Sequence, residues 1–311
     1  MADLRIRVGS LTLPNPVLVA AGTFGYGLEF ARAVPLERLG GVITKTLTRQ
    51  PRDGHAPPRL VETPAGMLNA VGLQNMGLDA FLHETLPALR PFRVPVIVSL
   101  LGESAEELAA MVPPLDRAEG VAAMELNLSC PNLQRGREGR TRYVPMVSQD
   151  AEAVRTIVQA ARQHTAKPLI AKLSPDVTDL APIAQAAEAA GADAIALVNT
   201  FVGMSIDPAT RRSRLGTATG GVSGPAIRPL AVYRVWYTVQ TVRIPVIGLG
   251  GIVCAEDAIE FLIAGARAVA VGTANFVNPR APLRVLRGLE RYLSRHGLPS
   301  MRELSGSWQD A

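Results

Sequence analysis

Cysteine is nearly absent: 311 residues carry Cys130 and Cys254 and no others. Two thiols so far apart make neither a disulfide framework nor a zinc pattern, and they suit a reducing compartment. Histidine is as scarce. His55, His83, His164 and His296 are scattered, at no spacing suited to a metal. No run of about 18 apolar residues appears, the length a membrane-crossing helix needs. The opening stretch "MADLRIRVGS" holds no apolar signal core. Charge is muted, with 19% charged residues and a net formal charge of +5. This mild arginine excess requires no nucleic-acid partner. The expectation is a soluble cytoplasmic protein without membrane, nucleic-acid or metal partners. It is 48% hydrophobic and long enough to bury a large core.

What is present is a repeating beat. Short apolar runs at 16–22, 40–45, 94–102, 122–129, 168–174, 193–200, 244–251 and 268–273 read as strands. Between them lie alanine- and leucine-rich stretches of helical period, such as "SAEELAAMVPPLDRA", "QDAEAVRTIVQAARQHT" and "AEDAIEFLIAGA". Eight apolar strands in strict alternation with helices is the pattern of an α/β protein, a parallel (β/α)8 TIM barrel. The expected arrangement is one domain over 1–311, with a short N-terminal hairpin in "LRIRVGSLTLPNP" and inserted loops over the barrel top. A doubly wound open sheet competes, but no glycine-rich dinucleotide turn opens the chain.

Strand C-terminal ends face the active site of such a barrel. They hold Ala21 to Thr23, Lys45 and Thr46, Ser99, Asn127 to Cys130, Lys172, Asn199 and Thr200, Gly248 to Gly251, and Gly272 with Thr273. A bland core would have valine or isoleucine there. Burying an unpaired lysine costs several kcal/mol, so something anionic or strongly polar is expected inside. The seventh and eighth strands end in "GLGGI" and "VGTANF", each before a helical turn. Glycine turns at helix starts bind phosphate, and these are the usual phosphate loops of the barrel, though plain tight turns would read similarly one at a time. The stretch "GTATGGVSGPAIRP" (216–229) is too glycine-rich for a helix and is expected to wrap a ligand or close the barrel top.

The motifs "NPVLVAAGTFGYG", "KTLT", "NAVGLQNMG", "NLSCPN", "GMSIDPATRR", "GGVSGPAIRP" and "VGTANF" together resemble the class I dihydroorotate dehydrogenases, over residues 15–276. Within that class "GLQNMG" and "DPATRR" look more like the B branch, which is NAD-linked and has two kinds of subunit, than the fumarate-using A branch. The resemblance implies oxidation of (S)-dihydroorotate to orotate in pyrimidine synthesis, with FMN across the barrel top. By motif, the FMN contacts would be Ala21, Lys45, Thr46, Ser99, Asn127, Lys172, Val198, Gly224, Gly250, Gly251, Gly272 and Thr273. The substrate contacts would be Lys45, Asn69, Ala70, Val71, Gly72, Leu73, Asn127, Asn199 and Thr200, and Cys130 would be the catalytic base. Two departures stand out: the family often has serine at Ala21 and asparagine at Ser99. Local cofactor geometry is in question there, not the chemistry.

The family reaction takes a proton from one ring carbon and a hydride from its neighbour, so the protein need supply only a base. A lone cysteine in a strand-to-loop turn is usually inert; the barrel address and the flanking Asn127 and Asn132 favour reaction at Cys130. Cys254 reads as structural. Lys45 suits a substrate carboxylate, and Lys172 the flavin edge where charge builds on reduction. The polar segment "PNLQRGREGRTRY", with Arg135, Arg137, Arg140 and Arg142, reads as a lid. The branch implies a homodimer, extended to a heterotetramer by a partner with FAD and an iron–sulfur cluster, because this chain has neither a CxxC cluster nor a GxGxxG turn. Rival readings are a dihydropyrimidine dehydrogenase-like flavin subunit, a tRNA-dihydrouridine synthase and a non-catalytic barrel scaffold.

Overall fold

A computed structural model describes residues 2–129 and 147–309. Cys130 and the arginine-bearing lid segment lie outside the described residues.

Eight strands form a closed parallel barrel in sequence order. They are β1 (Val17–Val19), β2 (Gly41–Ile43), β3 (Val96–Leu100), β4 (Val121–Asn127), β5 (Leu169–Lys172), β6 (Ala194–Leu197), β7 (Val246–Leu249) and β8 (Ala268–Val271). The strands are buried almost throughout, because one face looks into the barrel and the other lies under helices. That double burial explains their continuous apolar runs.

The outer helices are α1 (Ala105–Arg117), α2 (Ala151–Arg162), α3 (Ala181–Ala189), α4 (Arg228–Val239), α5 (Ala255–Ile263) and α6 (Ala281–Arg295). Their starts follow local chemistry. Ser104 accepts a hydrogen bond from Glu107 N at the head of α1, and Asp150 accepts from Glu152 N and Ala153 N at the head of α2. Among the described residues, no helix is long and apolar enough to cross a membrane.

The alternation is not strict. Between β1 and β2 the chain makes only two 3₁₀ turns, Leu28–Phe30 and Leu36–Arg38. Gly25 and Gly27 sit at φ 51° and 103° there, which ends any helix before it starts. The stacked rings of Phe24 and Phe30, 4.2 Å apart, fill the space instead.

Among the described residues three further sheets accompany the barrel, one of them the small pair Ile206–Asp207 with Arg212–Ser213. The expected hairpin, Ile6–Val8 with Leu11–Leu13, sets its turn against Asp193, just before β6, at the N-terminal end. At the other end the β2–β3 connection contributes Leu60–Thr63 and Gly66–Asn69. Gly220–Ser223 pairs with the latter, and Phe201–Gly203 joins outside it. The resulting four-stranded antiparallel sheet includes the glycine-rich 216–229 stretch, which therefore closes the barrel top as a strand, a 3₁₀ turn and the head of α4.

Candidate functional site

A cavity opens at the C-terminal ends of the barrel strands, where strand ends give way to loops. Lys45 and Thr46 follow β2, Asn127 ends β4, Lys172 ends β5, and Val198, Asn199 and Thr200 follow β6. Gly250 and Gly251 follow β7, with Gly272 and Thr273 after β8 and Ala21 after β1. Asn69, Val71, Leu73 and Gly224 come in from the top sheet and its loops. Three residues expected at the site are not on its walls: Ala70, Gly72 and Ser99. Ala70 is buried in a small apolar cluster with Leu68 and Leu215, Gly72 backs onto His55, and Ser99 lies below the floor, fully enclosed in the barrel.

Two of the chain's three lysines, Lys45 and Lys172, face this cavity. Lys167 stands apart, donating to Leu115 O and Ala118 O, with its pKa lowered by burial against the opposing pull of Asp116. Lys172 is 4% exposed, and no carboxylate among the described residues lies within 4.0 Å of it. An enclosed amine without an acid partner marks a place where an anion or an electron-rich ring belongs. Lys45 is half-buried, and a methyl added at Gly22 would come 3.8 Å from its Nζ.

The asparagines are already oriented. Asn127 Nδ2 donates to Thr46 Oγ1 at 3.1 Å while its Oδ1 accepts from Ser129 N at 3.4 Å. Asn199 Nδ2 donates to Ser129 O at 2.8 Å and Ser129 Oγ at 2.9 Å, and its Oδ1 accepts from Thr200 N. Both side chains thus hold Ser129, the residue before Cys130 in the chain. An amide both donates and accepts, which suits a heterocycle with alternating N–H and C=O groups.

The opposite end is built from backbone. Gly251 has φ 78°, and a Cβ there would lie 2.8 Å from Arg228 Cβ and 2.9 Å from Gly224 O. Only glycine lets these loops meet, leaving backbone N–H groups near the cavity. Arg228 pairs with Asp257 and, at 3.1 Å, with Glu260; Asp257 also accepts from Val253 N and Cys254 N. Those bonds fix the start of α5. Burial, with Glu256 beside it, raises the pKa of Cys254 above the ordinary thiol value, in keeping with a structural role.

Leu73 carries a strained backbone at φ 57° on the cavity wall. Asn75, 8% exposed, holds it. Nδ2 donates to Leu73 O and Thr48 Oγ1, and Oδ1 accepts from Thr48 N and Gly77 N. Asn75→Ala removes all four bonds and strands buried polar atoms, costing on the order of 2 kcal/mol. We expect a lower Tm and a weaker hold on any ligand touching Leu73. A variant with unchanged Tm in thermal denaturation would contradict the clamp.

Comparison with known proteins identifies a family. The family model described as "Dihydroorotate dehydrogenase" matches residues 3–293. The chain belongs to the dihydroorotate dehydrogenase family. A relative from Thermodesulfovibrio yellowstonii is 47% identical over 310 residues, covering 100% of both chains. One from Geotalea uraniireducens is 48% identical over 98% of each. A third, from Desulforudis audaxviator, is 49% identical over 97% of this chain and 96% of its own. All three are named "Dihydroorotate dehydrogenase B (NAD(+)), catalytic subunit".

Within this dihydroorotate dehydrogenase fold, several wall residues escaped sequence reading. Ala20 and Ala270 form an apolar floor with Leu249, which lies within the expected Gly248–Gly251 strand end, and Phe276 stands half-exposed at the rim. Their signal was weak because small and apolar residues at strand ends look like ordinary core. Asn75 and the Ser99 contacts were hidden for another reason: their partners are distant in sequence.

Proposed function

We propose that the chain is the FMN-binding catalytic subunit of an NAD-linked dihydroorotate dehydrogenase, oxidising (S)-dihydroorotate to orotate. The observation that carries the reading is the enclosed Lys172, with no acid partner among the described residues, lining one cavity with the Gly250–Gly251 and Gly272–Thr273 loops, in a chain of this family. A flavin mononucleotide needs three things: donors for its phosphate, an apolar bed for its ring, and a cation near the edge that gains charge on reduction. The glycine loops with Thr273, the Ala20–Leu249–Ala270 floor, and Lys172 match those needs in turn.

When bound, FMN supplies the hydride acceptor. The protein's own residues do the rest. Lys45 binds the substrate carboxylate, and Asn69, Asn127 and Asn199 with Thr200 hold the ring edge. Val71 and Leu73 help exclude water from the same wall. Cys130 takes the proton from the ring carbon. The top sheet fixes part of the substrate wall, since Asn69 Nδ2 donates to Gly221 O at 3.1 Å. At the other end Thr273 Oγ1 donates to Ser223 Oγ at 2.8 Å.

The proposal extends to context. One domain carries the whole site, two copies associate, and a second polypeptide with FAD and an iron–sulfur cluster passes electrons to NAD+ in the cytoplasm. The names of the relatives support an enzyme of more than one kind of polypeptide. Turnover of dihydroorotate by the isolated chain with fumarate, NAD+ and a dye tests the acceptor. Dye reduction alone fits the B-branch reading; efficient fumarate reduction would overturn it.

Lys45→Met tests substrate recognition. Losing a charge-assisted contact of about 1.5–3 kcal/mol should raise KM for dihydroorotate roughly 10- to 100-fold. Bound flavin should be largely retained. An unchanged KM would remove Lys45 from the carboxylate site.

A further inference from the structure

Glu125 lies in the barrel interior, where a carboxylate is out of place. It is 0% exposed on β4. Side chains alternate along a strand, and Asn127 two residues on lines the cavity, so Glu125 faces inward one layer below. Two residues of strand rise place its Cα about 7 Å beneath that of Asn127. The register sets it level with Ser99 on β3 and with Ile170 on β5, again two residues before a cavity residue, Lys172. Burying a carboxylate costs several kcal/mol, and an apolar side chain there would avoid that cost.

Its contacts run upward to the cavity. Ser99 Oγ donates to Glu125 Oε1 at 2.9 Å, and Ser99 Oγ lies 3.0 Å from Thr46 Oγ1. Asn127 Nδ2 donates to that same Thr46 Oγ1 at 3.1 Å. The amide can only donate at this contact, so the hydrogen of Thr46 is free for Ser99, and that of Ser99 for Glu125. With Glu125 Oε1 as the final acceptor, every bond points the same way, from Asn127 through Thr46 and Ser99 to Glu125. Thr46 then turns a lone pair, not a hydrogen, towards the cavity. Glu125 Oε2 has no hydrogen-bond partner among the described residues.

We propose that Glu125 is a positioning residue that lowers the reduction potential of the bound flavin, through its negative charge and through the bond direction it imposes on Ser99 and Thr46. The proposal rests on the FMN reading above. A negative group under the ring, with an acceptor rather than a donor at Thr46, disfavours added electron density. It opposes Lys172, which favours it, and the pair would set the flavin between substrate and onward acceptor.

The test is the midpoint potential of the flavin in purified holoprotein, measured anaerobically against reference dyes, for wild type, Glu125→Gln and Ser99→Ala. Glutamine removes the charge. Alanine at 99 removes the acceptor of Thr46, freeing its hydrogen for the cavity, and takes away the only hydrogen bond to Glu125 among the described residues. The Glu125→Gln midpoint should move positive and its reoxidation by a dye should slow, while Ser99→Ala, which keeps the carboxyl group, should shift less. A purely structural Glu125 would lower Tm or flavin content without moving the potential. Unchanged midpoints in the variants that keep flavin would overturn the proposal; a wild-type protein that binds no FMN would instead overturn the reading beneath it.

Discussion

Cys130→Ala should cut dihydroorotate turnover by about 10²- to 10⁴-fold, the usual worth of a positioned general base, while leaving the flavin bound. The described cavity wall supports this expectation by what lines it. It carries lysine, threonine, serine, asparagine, glycine and apolar side chains, but among the described residues no aspartate, glutamate, histidine or tyrosine. Asn127 and Asn199, both on the cavity wall, tether Ser129, the last described residue before the cysteine in the sequence. A thiol with an ordinary pKa of about 8.5 is mostly protonated at neutral pH. Turnover by the wild type should therefore rise through mildly alkaline pH as the thiolate forms. In Cys130→Ser the rise should move to higher pH, because a hydroxyl is a weaker acid. A kcat profile with pH, alongside the flavin spectrum of each variant, reads both effects. A serine variant with full rate near neutral pH would remove the cysteine from the mechanism.

Lys172→Met should stabilise the flavin-free protein and cripple the flavin-loaded one. In the free protein the amine is enclosed without an acid partner among the described residues, a burden of several kcal/mol that methionine lifts. With flavin bound, the same amine is expected to stabilise charge that grows during reduction. Losing such preorganised stabilisation costs about 10²- to 10³-fold in rate. Wild type should gain more in Tm on adding FMN than the variant does, since a ligand that binds only the folded state stabilises it by mass action. Paired thermal denaturation with and without FMN, followed by stopped-flow reduction, separates the two effects. A variant less stable without flavin, yet reduced at wild-type rate, would contradict this role for Lys172.

The barrel was legible because each strand is buried on both faces, so its apolar run stands out from the helical stretches around it. The expected runs overshoot the observed strands. The 193–200 run spans Ala194–Leu197 in the structure, because Val198 to Thr200 continue the chain into the cavity rather than the ladder. Lysine and glycine at strand ends stood out in the sequence because neither belongs in an apolar core, and in the structure they line one cavity. The β1–β2 crossover misled because a barrel implies a helix there, while Gly25 and Gly27 favour tight turns. What stayed hidden is long-range pairing. Thr46, Ser99, Glu125 and Asn127 meet across sequence separations of 26 to 81 residues, and nothing local in "KTLT" or "ELNLS" announces the chain of bonds among them. Ser99 illustrates the gap: its strand-end address suggested a cofactor contact, yet its hydroxyl lies between Thr46 and Glu125 below the floor.

The most direct measurement is the anaerobic reductive half-reaction of the isolated chain. The purified protein should be yellow, and stoichiometric dihydroorotate should bleach its flavin absorbance within seconds and yield orotate. Dihydrouracil, which lacks the carboxylate that Lys45 is proposed to bind, should leave the spectrum unchanged on that timescale. A colourless protein that takes up no FMN, or a flavin reduced equally well by dihydrouracil, would contradict the account.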